Sequence, residues 1–280
     1  MRRLTLAIAA LALVLAACGE PATSGGSLLP ALPAGIDPTV DHMDCFVEDV
    51  TFDDDVTIPE DTDCAFTNVT VEGNVAVAPG ASLAFDAGFI DGNVFVYLDA
   101  KVDLSGAVVE GNVQGERSAG VVVRDDAEVA GDVQVERGKG SVQVLSSSVL
   151  GNVQVDETAG PIDVFEAFVD GNVQLKLNRG DIVVSETWVG GDVQLDDNHG
   201  GIVVYDNQID GNVQFEHNYG AIDVSKNWVG GDVQLEENRG GVGVFDNDID
   251  GNLQCSSNLA PIAGGNNMVG GDMEGQCSAF

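Results

Sequence analysis

The chain has 280 residues, 44% of them hydrophobic, and a formal net charge of −35 from 46 acidic against 11 basic residues. That apolar fraction excludes a disordered acidic tail and calls for a buried core. The charge excludes nucleic acid as a partner, since phosphates would be repelled and no basic stripe is present to hold them, and the glycines lack the three-residue period of collagen.

Arg2 and Arg3 precede an apolar run from Leu4 to Ala17, too short to span a bilayer comfortably and laid out like a secretory signal. The run closes on Leu15-Ala16-Ala17-Cys18, which resembles the bacterial lipobox. The resemblance implies removal of residues 1–17 and attachment of acyl chains, palmitate among them, to the Cys18 thiol. The protein would then be exported and held at a membrane of the cell envelope by lipid. The alternative is an ordinary signal with a chance cysteine. Residues 18–41 are rich in Pro, Gly, Ala and Ser and read as a flexible tether, with 42–280 as the folded unit. Setting Cys18 aside leaves Cys45, Cys64, Cys255 and Cys277, an even number for an oxidising compartment.

The folded unit is one repeat. Gly73, Gly92, Gly111, Gly131, Gly151, Gly171, Gly191, Gly211, Gly231, Gly251 and Gly271 recur at 19 and then 20 residues, the signature of a solenoid. Counting each unit from its glycine, positions 3, 5, 12, 14 and 19 are apolar and mostly Val, Ile or Leu. Pairs two apart are the strand period, and no window carries the helical one. Asn at positions 8 and 17 and Gly at position 10 mark the corners, where they tolerate left-handed backbone. The expected fold is an all-β, single-stranded parallel β-helix of about twelve coils, right-handed, because the period does not divide into the hexapeptides of the left-handed form. At about 4.8 Å per coil the rod is roughly 55 Å long. Up to Val121 and Val123 the second strand sits one place earlier than it does from Val142 and Val144 onward. A bulge and a lengthened turn between 115 and 142 are expected to absorb the shift.

Candidate sites follow the columns. Asp170, Asp192, Asp210, Asp232 and Asp250 alternate before and after the repeat glycine. This staggers like charges, or else forms a zigzag of carboxylates that collects Ca²⁺. The calcium-binding nonapeptide is absent, so no cofactor is expected and Ca²⁺ remains an alternative. Position 4 is Gln from Gln114 to Gln254 and faces out, either as an amide ladder or as donors and acceptors for a glycan. Position 18 carries Phe168, Trp188 and Trp228, and position 15 carries Phe165, Tyr205 and Phe245. These rings pack on the surface, or Trp188 and Trp228 form platforms for sugars. His42, His199 and His217 show no ligand spacing. No catalytic residue is assigned, because the unbroken period from Gly111 to Gly271 leaves no room for the cleft of a polysaccharide lyase or hydrolase. Cys45 and Cys64 both fall at position 11, one above the other, within reach of a disulfide. Cys255 and Cys277 fall at positions 5 and 7 of successive coils and pair if the last coil leaves register. Each pair clamps an end of the rod and favours a monomer.

The run from Gly251 to Cys277, GNLQCSSNLAPIAGGNNMVGGDMEGQC, looks like the closing segment of uncharacterised bacterial secreted proteins with GNVQ-type coils. The resemblance implies export and a β-helix, and no activity. The repeated G-x-V pattern also resembles that of bactofilins, which polymerise, but they lack the signal and tail. The expectation is an exported surface lipoprotein whose rigid β-helix is a structural, adhesive or glycan-contacting module. A cation-binding acidic solenoid, a polysaccharide-active enzyme and a self-assembling scaffold are the alternatives.

Overall fold

A computed structural model describes residue 29 and residues 45–280. The expected signal 1–17, Cys18 and the tether apart from Leu29 lie outside the described residues. All elements among the described residues are strands, three to a coil. The first coil has Cys45–Glu48, Thr51–Phe52 and Val56–Ile58; the last has Ile262–Gly265, Met268–Val269 and Met273–Gly275. Each strand pairs in parallel with its counterparts in the adjacent coils, giving three 12-stranded sheets that run the length of the molecule. The fold is the parallel β-solenoid that the period implies. Like residues pair with like, as Val173 with Val193 and Gln174 with Gln194.

The core follows from the period-2 pattern. From Val133 to Ile249, positions 3, 5, 12, 14 and 19 are all buried. Valine dominates because its branched β-carbon suits the pleated backbone and its uniform size lets identical layers stack. The Gln column faces outward as expected, yet it is half-buried, not exposed. Each amide is covered by the amides above and below. Gln114, Gln134, Gln154 and Gln174 each donate from Nε2 to Oε1 of the next Gln at 2.9–3.0 Å.

The corners depart from the expectation. The left-handed residues are neither the Asn nor the Gly of the repeat. They are the residues just before each Asn, Leu177, Asp197, His217 and Glu237 at one corner and Asp206, Lys226 and Asp246 at another, with Glu186 before Thr187 in the same column. The Asn itself turns inward. Asn198 is fully buried. Its Nδ2 donates to the Leu175 carbonyl at 2.8 Å and to Asn218 Oδ1 at 3.1 Å, and its Oδ1 accepts the Asn178 amide at 3.0 Å. Asn207, Asn227 and Asn247 form a second buried column in the same manner. A side chain that replaces a turn's missing backbone partners offsets the modest cost of left-handed backbone at the preceding residue. The position-10 glycines answer to close approach: a Cβ on Gly180 would collide with the carbonyl of Gly160 one coil below.

The register change also differs in part. The turn lengthens as expected, with Asp125 and Asp126 both left-handed where neighbouring coils have one such residue. No strand bulges. Gly120–Arg124 pairs continuously with Lys101–Ser105 on one side, and its last four residues pair with Val142–Leu145 on the other. Corners are solvated and irregular, so they absorb an extra residue at lower cost than a ladder does.

Both ends are stapled. Cys45 and Cys64 are paired in register, with Cα atoms 4.4 Å apart, and are joined as a disulfide. Cys255 and Cys277, with Cα atoms 5.3 Å apart, are joined likewise. The strands of the last coil stay in register, against the expectation, and only the tail after Gly275 leaves it. That tail folds over the end, and Gln276 takes the place of the next Asn in the buried column. Its Oε1 accepts the Asn258 amide at 2.9 Å, and its Nε2 donates to the Asn258 carbonyl at 2.9 Å. Phe280 lies against Gly264 and packs on the core.

Candidate functional site

The second sheet has strands of two residues, so position 18 is its single outward column. Along the rod that column reads Glu128, Ser148, Phe168, Trp188, Gln208, Trp228 and Asp248. Phe168 and Trp188 stack face to face, with centroids 4.4 Å apart and planes 14° from parallel. The Trp188 ring reaches over Gly190, where an added Cβ would stand 2.8 Å from the ring. Trp228 lies over Gly230 in the same way. The position-20 glycines answer to close approach: a Cβ at Gly190, Gly230 or Gly270 would stand 2.5–2.6 Å from the carbonyl of the aspartate one coil below, and an indole also covers Gly190 and Gly230. Trp188 and Trp228 do not form one platform, because Gln208 stands between them.

Below Phe168 the column narrows to Ser148. The face of Phe168 turned away from Trp188 looks along the column to this small side chain, which leaves a notch of about 450 Å³. Ser146, Ser147 and Ser148 make its floor; Phe168 and Trp188 stand above Ser148 in the same column and Glu128 below it, and Asp126, Glu166 and Glu186 share the position-16 column with Ser146. Ser146 Oγ donates to Glu166 Oε2 at 3.0 Å, and Ser147 Oγ donates to the Leu145 carbonyl at 2.8 Å. These contacts hold the floor in one arrangement. An aromatic face beside hydroxyls and carboxylates, on a frame hydrogen-bonded in every coil, suits a ligand with an apolar face and a polar rim.

The corner aspartates fall into two columns on either side of the repeat glycine. Asp170, Asp210 and Asp250 are exposed at position 20. Asp192 and Asp232 alternate with Asn in a ladder at position 2. Asp192 Oδ1 accepts the Asn212 amide at 2.7 Å and its Nδ2 at 3.0 Å, and Asp232 Oδ1 does the same for Asn252 at 2.7 and 3.1 Å. The grouping with cation-ligand chemistry among the described residues lies elsewhere: Asp196, Glu216 and His217, each with one ligand atom within 4.8 Å of the others. Asp196 Oδ2 is 2.9 Å from Lys176 Nζ. Loss of water acts to lower the His217 pKa, but Glu216, Asp196, Glu237 and Asp197 outweigh it and hold it above the ordinary value. Linear ligand spacing does not show this trio. Searching by column does, since Asp196 and Glu216 share position 6. The same search finds a stack at position 9: His199 and Tyr219 lie 4.4 Å apart and nearly parallel, and Arg239 sits 4.4 Å above Tyr219. Tyr205 at position 15 accepts a hydrogen bond on its hydroxyl from the Lys226 ammonium of the next coil at 2.9 Å.

The Toastrack DUF4097 family model matches residues 54–255. No curated protein and no solved structure matches the chain.

Proposed function

This chain belongs to the Toastrack DUF4097 family, and from that premise we propose that it is an exported surface lipoprotein whose rigid solenoid presents the Phe168–Trp188 notch to a glycan. The rod is the structural module. It positions the contact at a fixed height and orientation, while acyl chains on Cys18 and the tether hold its base to the membrane. The observation that carries the reading is the free face of Phe168, backed by Trp188 and bordered by serines and carboxylates in a cavity the size of a small ligand. A purely structural rod gains nothing from leaving one ring face open beside an unfilled notch.

The test is a glycan and cell-wall binding screen on the mature domain, with and without Ca²⁺. Binding that survives removal of Ca²⁺ and is lost in Phe168→Ala and Trp188→Ala, with thermal unfolding little changed, supports a glycan contact. Unaltered binding in those variants, or a loss of several kcal/mol of stability as for a truncated core aromatic, assigns the rings to packing. The Trp228→Ala variant is expected to leave binding unchanged, because Trp228 lies beyond Gln208 and outside the notch. The anchor is tested separately: Cys18→Ser should release the protein from the membrane fraction, and unchanged retention would refute lipidation at that thiol.

A further inference from the structure

The notch carries charge of one sign. Asp126, Glu128, Glu166 and Glu186 line it, and no lysine or arginine does. Elsewhere on the rod some acidic residues have a cation beside them. Arg137 lies 3.0 Å from Glu116, Lys139 lies 2.6 Å from Asp99, and Lys176 lies 2.9 Å from Asp196. At the notch the place of the counter-charge is taken by a ring face, and an aromatic face itself attracts cations.

We propose that the notch selects a sugar bearing a free ammonium group, a glucosamine unit, over its neutral N-acetylated counterpart; this rests on the glycan-contact reading above. A neutral sugar can lay its apolar face on Phe168, but it leaves the carboxylates without a counter-charge. An anionic sugar is repelled by them. An amino sugar meets both features at once, with ring carbons on Phe168, the ammonium between the carboxylates and its hydroxyls toward Ser148. Trp188, stacked behind Phe168 at 4.4 Å, keeps the ring from turning away. The cavity of about 450 Å³ has room for a sugar unit, and the half-buried Ser148 in the outward column offers a hydroxyl partner.

The experiment is calorimetric titration of the folded protein with a glucosamine trisaccharide and with its N-acetylated form. Moderate salt suppresses attraction to the overall charge. The amino form is expected to bind about tenfold more tightly. Phe168→Ala, and separately Glu166→Gln with Glu186→Gln, should abolish that preference. Glu236→Gln with Glu237→Gln, on a different corner, should not. Circular dichroism of each variant reports folding, and the glutamine pair keeps the test informative if Phe168→Ala loosens the coil. Equal binding of the two sugars through Phe168 would overturn the ammonium preference and leave the glycan contact standing. Binding lost equally in the control pair would overturn it as unspecific charge attraction. A lysine tripeptide held as tightly through the same residues would overturn it in favour of a cationic peptide. Binding of neither sugar, with no other glycan bound in the screen, would remove the glycan contact itself.

Discussion

Buried asparagines tie successive coils together by side-chain hydrogen bonds. Asn218 is fully buried, donates to the Leu195 carbonyl at 2.8 Å and to Asn238 Oδ1 at 3.0 Å, and accepts from the Asn198 amide at 2.9 Å. Removing it leaves a carbonyl and an amide without partners, away from water. Each such group costs about 1–3 kcal/mol, so Asn218→Ala is expected to destabilise the protein by about 3 kcal/mol. Chemical denaturation checks this. A loss within half a kcal/mol, as for an ordinary surface change, would mean that water enters the column and satisfies those groups. The sequence marked these asparagines as corner residues, and that was right. It also assigned them the left-handed backbone, which Leu177, Asp197, His217 and Glu237 take instead. Propensity favours Asn in that conformation, but the tertiary fold gives the Asn amide a better use.

At the scale of the element, strands are strict and corners are lenient. A strand shifted by one residue turns its whole apolar row outward. The corner at Asp125 and Asp126 has one residue more than its neighbours, while the strands on either side of it stay paired without interruption. Deleting Asp125 shortens this corner to the length of the others. The change in stability is expected to stay within about 1 kcal/mol, since closing a loop one residue shorter alters little entropy. Deleting Val122, within Gly120–Arg124, should prevent folding of that coil. Thermal unfolding of the two deletions decides. Equal damage from both would show that the extra residue is required where it stands. The shift was legible in the sequence from the changed spacing of Val123 to Val129. Its placement in the turn alone was not, because spacing counts residues without saying which of them stay hydrogen-bonded.

At the scale of the whole molecule, each coil touches its neighbours alone, so stability spreads along the rod and its ends are the weak points. The disulfides close segments of 19 and 22 residues at the two ends, each worth about 3 kcal/mol by loop closure. Cys255→Ser with Cys277→Ser should speed amide exchange in the last coil and its tail, while coils near Gly171 keep their protection. Loss of protection along the entire rod would show instead that the array unfolds as one unit. The Phe168–Trp188 notch sits toward the middle, where local opening is least frequent and a rigid site is easiest to hold.

The sequence alone determined the architecture. A fixed period with in-phase apolar columns permits one arrangement that buries them all, and so the parallel solenoid, the buried rows and the cysteines at both ends could be read from spacing. Spacing also placed Trp188 in an outward column. The tertiary structure decided what stands beside what across coils. The open face of Phe168 depends on Ser148 below it and Trp188 above it, and the carboxylates of Asp126, Glu128, Glu166 and Glu186 gather around it from several coils. Residues roughly one period apart lie about 5 Å apart in a stacked coil. A linear reading ranks them as distant, and it cannot tell which ring faces are covered until the coils are laid on one another.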